Sequence, residues 1–414
     1  MVYDPELKVF FQQLQRFGMT LGLERIEKLL YFLGKPQNHV PVIHVTGTNG
    51  KGSVCAYLAS ILTACGYRTG LYTSPHLVHY QERIQMDGKM IDPTDWWRIL
   101  AQIKQVVETQ QIPVTEFEAI TALMWIYFAE RKVDIAVIEV GLGGRLDATN
   151  VVDRPLVTVI TSIGLDHQER LGAELTDIAR EKAGILKPNR PLVRGVVPAA
   201  AAQVIDEQAH RCNCPLIVVE MPGHWTGQYL RFQGHDYLIP LAGQHQLVNA
   251  SIALEVIHQL RHQGWNLPIS QVQKGIAHTQ WPGRLQWVNY QGKKILLDGA
   301  HNPQAAEVLR NYIDQNHRQP VHWIIGLLQT KDAVAILKAI LRPDDQVSFV
   351  PISGHCYYEP HDLCDLAQQI CPGISSGHYA DLADVLPRID EQKTTVISGS
   401  LYLIGQLLKG NSIN

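Results

Sequence analysis

The run Val45-Thr46-Gly47-Thr48-Asn49-Gly50-Lys51-Gly52-Ser53 gathers glycines, hydroxyls, an amide and a lysine in one short stretch. Glycines let a backbone curl until successive N–H groups face one anion, and a helix starting there adds its positive end. Lys51 can reach a terminal phosphate oxygen, and the Ser53 hydroxyl can ligate a magnesium ion bridging two phosphates. The spacing differs from the common G-x-x-x-x-G-K-[ST] form. Two residues separate Gly47 from Gly50, and Gly52 stands between Lys51 and Ser53. The competing reading is a glycine-rich turn that holds nothing; lysine and serine together in a strand–loop–helix setting favour ATP binding.

Two further runs end in groups that can hold a metal. Ile135-Ala-Val-Ile-Glu139 is apolar until its carboxylate, and Val157-Thr-Val-Ile-Thr-Ser-Ile-Gly-Leu-Asp166-His167 ends in a polar pair. Open parallel sheets bind ligands at the carboxyl ends of their strands. Magnesium prefers oxygen, so on these residues alone His167 is either a ligand or a hydrogen-bonding loop residue. The segment Ser353-Gly-His-Cys-Tyr-Tyr-Glu-Pro-His361 superficially imitates a metal site through His355, Cys356 and His361. It reads better as a solvated connection, and no function is assigned to it.

The elements needed to position these groups are visible in the hydrophobic pattern. Leu7, Phe10, Phe11, Leu14 and Phe17 fall at helical spacing, as do Ile26, Leu29, Leu30 and Leu33 after Gly22. Strand-like runs then follow at 40–46, 68–73, 133–140, 156–161, 191–197 and 216–219. Helical patterns at 51–65, 116–130 and 175–184 lie between them. Residues 223–240 suggest a hairpin excursion, and a helix resumes at 247–260. After Trp281-Pro-Gly-Arg284 a second alternation begins, with strands at 294–298, 322–326, 346–350 and 394–398 and helices at 305–312 and 333–341. Strands alternating with helices imply an α/β fold with mostly parallel sheets. The predicted division is 1–283 and 284–414.

The chain has 414 residues, 46% hydrophobic and 18% charged, enough apolar material for two such cores. Its 36 Lys+Arg against 39 Asp+Glu leave a net charge of −3, which argues against nucleic acid as a partner. The N-terminus lacks the apolar core of a secretory signal, and no stretch has the ~20 apolar residues of a membrane span. Seven cysteines without a signal read as reduced thiols. Cys212 and Cys214, one residue apart, make neither a redox pair nor half a zinc knuckle. A cytoplasmic monomer without membrane or nucleic-acid partners is expected.

Several motifs stand in order along nearly the whole chain: Gly22-Leu-Glu-Arg25-Ile, Gly47-Thr-Asn-Gly-Lys-Gly-Ser53, Thr73-Ser-Pro-His-Leu77, Glu82-Arg83-Ile84, Phe117-Glu118, Thr121-Ala122 and Glu139-Val-Gly-Leu-Gly-Gly-Arg-Leu-Asp-Ala-Thr-Asn150. Gly164-Leu-Asp-His-Gln168, Glu181-Lys-Ala-Gly-Ile185, Trp281-Pro-Gly-Arg284 and Leu297-Asp-Gly-Ala-His-Asn-Pro303 complete the set. With them the sequence resembles folylpolyglutamate synthases and dihydrofolate synthases, which are Mur-ligase-like ATP-dependent amide-forming ligases. The resemblance implies an N-terminal P-loop NTPase-like domain with a mostly parallel sheet and a smaller C-terminal Rossmann-like α/β domain. It implies ATP at Thr48, Asn49, Gly50, Lys51, Gly52 and Ser53, gripped also by Asn249, Arg284 and Asp298. It implies Mg²⁺ at Ser74, Glu139 and His167, with Ser53 supporting the nucleotide-bound ion. Lys182 matches a lysine carried as a carbamate, which would make it an anionic ligand; an unmodified Lys182 in a helix-end salt bridge is the alternative. A monovalent cation is a further cofactor raised by the resemblance.

The reaction so implied activates a carboxylate as an acyl phosphate, because a carboxylate alone has no usable leaving group, and glutamate then attacks. Lys51 would neutralise the transferring phosphoryl group. His301 and Ser400 resemble glutamate positions, with His301 acting either as a base or as a binding donor. Thr115, Glu116, Phe117 and Glu118, with Leu146, Asp147 and Ala148, match segments that bind dihydropteroate in bifunctional relatives. Phe117 could stack on a pterin or simply pack in the core with Ile120, Leu123 and Met124. A bifunctional enzyme is favoured. A monofunctional folylpolyglutamate synthase, a Mur-type ligase of peptidoglycan synthesis and a nucleotide-binding switch are the alternatives.

Overall fold

The alternating runs resolve, in a computed structural model, into two layered α/β units and a small hairpin sheet. The structure describes residues 5–15, 20–221, 223, 225–317, 320–390 and 392–410. The first sheet consists of β1 Val42–Thr46, β2 Thr69–Tyr72, β3 Ile84–Met86, β4 Lys89–Met90, β5 Ile135–Glu139, β6 Val157–Ile160, β7 Leu192–Arg194 and β8 Leu216–Val218. Their order is β4-β3-β2-β5-β1-β6-β7-β8, parallel from β2 to β8, with β3 and β4 added antiparallel at one edge. The strand preceding the glycine-rich loop is therefore flanked by the strand ending in Glu139 and the strand leading to Asp166.

Both faces of this sheet are covered, which is why its central strands read as continuous apolar runs. Ile43, Val45, Ile135, Val137, Val157 and Val159 point to one face, under helices Lys51–Ala64, Gln244–His262 and Ile269–Ala277. Val42, Tyr72, Ala136 and Ile138 point to the other, under helices Pro5–Gln15, Glu24–Phe32, Pro93–Gln110 and Glu116–Glu130. Leu7, Phe10, Phe11 and Leu14 are buried as their spacing predicts, whereas Phe17 lies outside the described residues. The hairpin excursion forms β9 Trp225–Thr226, β10 Tyr229–Phe232 and β11 His235–Leu238, all antiparallel.

The second sheet contains β12 Gln286–Tyr290, β13 Lys293–Leu297, β14 Val321–Ile325, β15 Gln346–Phe349, β16 Ser375–His378 and β17 Thr394–Ser398. The order is β12-β13-β17-β14-β15-β16, parallel except for the β12–β13 hairpin. Leu296, Trp323, Ile325, Val347, Phe349 and Val396 face one layer of helices; Ile295, Leu297, Ile324 and Ile397 face the other.

Periodicity left several elements unmarked, among them the helices Ala199–Arg211, Ile269–Ala277, Pro360–Ile370 and Leu401–Gly410; two others carry local signals that mark them. Asp87-Gly88, with φ of 51° and 75°, is the paired left-handed turn that closes a tight hairpin between β3 and β4. Helix Pro93–Gln110 opens on Asp92, whose carboxylate accepts from Thr94 N, with proline at its first position. All seven cysteines are free, and no helix among the described residues is long and apolar enough to cross a membrane.

Candidate active site

The loop between β1 and helix Lys51–Ala64 is shaped by contacts that leave no room for larger side chains. A Cβ on Gly47 would collide with Thr161 Oγ1. One on Gly50, at φ 85°, would lie 2.5 Å from Asn249 Oδ1, and one on Gly52 2.8 Å from the Trp281 ring. The loop is pinned to the end of β6: Thr48 N donates to Ser162 O at 2.8 Å, and Asn49 N to Ser162 Oγ at 3.0 Å. Thr48 Oγ1 exchanges hydrogen bonds with Gly164. Lys51 folds back so that Nζ donates to Gly47 O (2.9 Å) and Thr48 O (3.1 Å), inside the curl. The helix beginning at Lys51 leaves its first N–H groups without intrahelical partners, and with the lysine they form a cradle for a polyphosphate. Ser53, buried at the first turn, accepts from Gln246 Nε2 at 3.1 Å, and Gln246 accepts from Asn249. Helix Gln244–His262 thus delivers Asn249 to the loop.

Three groups singled out as metal ligands surround this cradle. Glu139, next to Val45 in the β1–β5 ladder, is buried and accepts from Ser74 N at 3.2 Å. Burial pushes its carboxyl above the usual range, opposed by Lys51. Lys182, on helix Leu175–Ala183, is buried and donates to Gly47 O at 3.0 Å. It has no carboxylate within ion-pair distance among the described residues, so the helix-end salt bridge does not form. Burial, aided by Lys51, pulls its ammonium down to about 7. His167, in a left-handed conformation (φ 53°), is lowered to about 4 by burial and then by Lys331. Lys51 acts electrostatically on all three. A buried carboxylate that, among the described residues, accepts only one backbone N–H keeps lone pairs free, which fits a hard divalent cation.

The second sheet faces these groups. Arg284, in the turn before β12, has no hydrogen-bond partner among the described residues, and its charge opposes the burial that raises Asp298. Asp298, buried at the end of β13, accepts from Leu285 N and Ala300 N, both at 2.9 Å. His301 donates through Nδ1 to Gly299 O at 2.8 Å, which leaves Nε2 unprotonated and 3.6 Å from Asp166. Burial and then Lys331 hold that imidazole at about 3. Ser400 is buried and caps helix Leu401–Gly410, accepting from Tyr402 N at 3.1 Å. A cleft of about 720 Å³ opens beside Ser74, Glu139, Trp281 and Arg284 and runs along helix Lys51–Ala64 toward Lys274.

The segments matched to a pterin site lie together at the start of helix Glu116–Glu130. Thr115 and Glu118 form a reciprocal cap, and Arg25 Nη2 pairs with the buried Glu118 carboxylate at 3.0 Å. The Phe117 ring lies over Gly141, where a Cβ would approach it to 2.5 Å. Glu116 accepts from Tyr80 OH at 3.3 Å. Ile120, Leu123 and Met124 are core, as their spacing predicts. Leu146 O accepts from Gly22 N, and Ala148 is buried. The Asp147 carboxylate is largely engaged by its own loop: it accepts from Leu142 N (2.8 Å), Thr149 N (3.0 Å) and Thr149 Oγ1 (2.5 Å).

Comparison with known proteins decides the lineage of this arrangement. The Mur ligase middle domain matches residues 45–257, and the dihydrofolate synthetase C-terminal domain matches 284–410. The dihydrofolate synthetase of Saccharomyces cerevisiae is 35% identical, over 95% of this chain and 98% of its own. The dihydrofolate synthase/folylpolyglutamate synthase of Bacillus subtilis is 34% identical over 95% and 96%. The folylpolyglutamate synthase of Mycobacterium tuberculosis, solved with ADP and AMPPCP, superposes with a TM-score of 0.87 at 30% identity, covering 99% and 98%. The chain belongs to the dihydrofolate synthase/folylpolyglutamate synthase family.

Within this family member, tertiary structure adds residues that sequence reasoning left out. Lys331, nearly buried, reaches from the second unit to Asp166 Oδ1 (2.6 Å) and His167 Nε2 (3.3 Å). Asn302 bonds both Asp166 Oδ2 (3.1 Å) and Asn49 Oδ1 (3.0 Å). Burial alone would raise the Asp166 carboxyl, but Lys331, His301 and His167 outweigh it and hold it well below the usual range. Asp166 and Asn302 sit inside motifs already noted; nothing around Lys331 marks it in the sequence. The loop 353–361 does not gather a metal site; among the described residues no three ligand-type side chains converge there.

Proposed function

We propose that this protein is a bifunctional dihydrofolate synthase/folylpolyglutamate synthase. It joins the carboxylate of a pteroate or folate to the amine of L-glutamate through an acyl phosphate, with release of ADP and phosphate. The observation that carries this reading is the convergence of Lys51, Glu139, Lys182 and His167 at the carboxyl ends of the central strands β1, β5 and β6, with Arg284, Asp298 and His301 facing them from the second sheet.

The roles follow from chemistry. The loop Thr48–Ser53 and Lys51 hold the phosphates, while Asn249, Arg284 and Asp298 grip the nucleotide from the sides. Glu139, Ser74 and His167 would hold Mg²⁺, with Ser53 supporting the nucleotide-bound ion, and the cation would offset phosphate charge. Lys182, with its ammonium near 7, is substantially neutral at neutral pH. Its nitrogen can then attack CO₂, forming an N–C bond and losing a proton, which makes it an anionic oxygen ligand. His301, held near 3, is a weak proton acceptor, so its Nε2 orients the glutamate amine with Ser400 rather than acting as a strong base. Phe117 and the 115–118 and 146–148 segments seat the pterin. Residues 1–283 form the nucleotide and pterin unit, and 284–414 the unit that closes on it and excludes water. The protein works as a cytoplasmic monomer, and a monovalent cation can accompany Mg²⁺.

The deciding experiment is an ATP-dependent assay with dihydropteroate or tetrahydrofolate as acceptor, with glutamate, and mass spectrometry of the products. Both acceptors should be extended, and Lys51→Ala should abolish both activities. Extension of tetrahydrofolate alone makes the enzyme monofunctional. Activity on a UDP-linked acid with neither pterin used refutes the reading.

A further inference from the structure

Lys331 lies in the loop between β14 and helix Ala333–Ile340, and it is clamped from behind by the His-, Cys- and Tyr-rich segment to which the sequence assigned no function. Tyr358 OH donates to Lys331 O at 3.2 Å, Tyr358 N to Leu327 O at 2.9 Å, and Gln329 N to Cys356 O at 3.2 Å. Leu328 and Tyr357 form an isolated antiparallel bridge. Thus braced, the Lys331 side chain is driven across the junction into a nearly solvent-free position, where Nζ meets Asp166 Oδ1 at 2.6 Å and His167 Nε2 at 3.3 Å. An ammonium has donors and no lone pair, so His167 must accept at Nε2. Its proton then resides on Nδ1, which faces Glu169 Oε1 at 3.8 Å. Nε2 is thereby the one nitrogen of His167 able to ligate a cation, and its single in-plane lone pair is engaged by Lys331.

We propose that Lys331 is a positioning residue that alternates with the divalent cation on the Nε2 lone pair of His167, held in reach by Tyr358. This rests on the reading of His167 as a metal ligand. One lone pair cannot serve both an N–H donor and a metal, so cation binding at His167 requires Lys331 to withdraw to Asp166 alone. Asp166 accepts Lys331 and Asn302 through different oxygens, so the junction stays tied while His167 is released. The brace at 356–358 thus couples cation loading in the first unit to the placement of a loop in the second.

The test is Mn²⁺ binding to the full-length, nucleotide-free protein, read by loss of the free Mn²⁺ electron paramagnetic resonance signal. Removing a competing charge-assisted hydrogen bond in Lys331→Met should tighten Mn²⁺ about tenfold. Adding His167→Ala to Lys331→Met should reverse the gain. Tyr358→Phe, which keeps the buried charges intact, should shift affinity in the same direction by a smaller factor and guards against a folding defect in Lys331→Met. A purely structural role for Lys331 would weaken Mn²⁺ binding or leave it unchanged, and either result overturns the proposal. Equal tightening by Lys331→Met with and without His167→Ala also overturns it, because the effect would then arise from the freed Asp166 charge. If His167→Ala weakens binding in the Lys331→Met background while Lys331→Met alone matches the parent, the His167 ligand reading stands and only the alternation falls. If His167→Ala has no effect in that background, both fall.

Discussion

Gly50→Ala isolates what the glycine-rich loop requires. The residue has φ 85°, and its Cβ would stand 2.5 Å from Asn249 Oδ1. The left-handed conformation costs a non-glycine residue about 1–2 kcal/mol, offset by about 0.4–1 kcal/mol from a stiffer unfolded chain. Gly34→Ala is the control, because Gly34 has nearly the same φ (81°) with nothing within 4 Å of its Cβ. The control should therefore lose about 1 kcal/mol and no more. At Gly50 the Asn249 amide must also swing aside, straining the bonds from Asn249 to Gln246 and from Gln246 to Ser53, each 3.1 Å. At roughly 1 kcal/mol per buried hydrogen bond, a further 1–2 kcal/mol should be lost. The N–H cradle moves with the loop, so ADP affinity should fall about tenfold or more. Denaturant midpoints and calorimetric ADP titration measure the two effects. The reasoning is refuted if Gly50→Ala is no less stable than Gly34→Ala and binds ADP within about twofold of the parent.

Three further outcomes are expected. His44, fully buried in β1, is held at about 3 by burial, whereas the unfolded chain takes up its proton near 6.5. Stability from its neutral form is therefore complete above 6.5 and lost as pH falls toward 3. Between pH 7.5 and 5 the parent should lose about 2 kcal/mol more than His44→Gln, by denaturation at both values. Arg25→Met strands the buried Glu118 carboxylate and should cost about 2 kcal/mol or more, with a raised KM for dihydropteroate; an unchanged denaturation midpoint would show the pair to be idle. Incubation with ¹³C-bicarbonate should give one carbamate resonance in the parent and none in Lys182→Met, with ligase activity lost in the variant; a signal surviving the substitution would place the adduct elsewhere.

Much of this molecule was legible in its sequence because the relevant physics is local. Apolar runs such as Ile135-Ala-Val-Ile138 announce strands buried on both faces, and Gly47, Gly50 and Gly52 beside Lys51 announce a loop whose backbone must approach something closely. Amphipathic spacing from Leu7 to Phe17 and from Ile26 to Leu33 announces helices without reference to any neighbour. Single charged residues carry no such periodicity. Arg25 and Glu118 meet across 93 positions, Lys331 and Asp166 across 165, and Asn49 and Asn302 across 253. Helix packing decides the first of these encounters; the strand order, which sets β5 and β6 on either side of β1, and the packing of the second sheet against the carboxyl ends of those strands decide the other two. The same holds for Asp147, a carboxylate that the sequence offers to a ligand and the fold largely commits to its own loop. Sequence by itself determined which groups can hold phosphate and metal. Tertiary structure decided which stand free to do so, because burial and the nearest charge fix whether a side chain is ionised and already engaged.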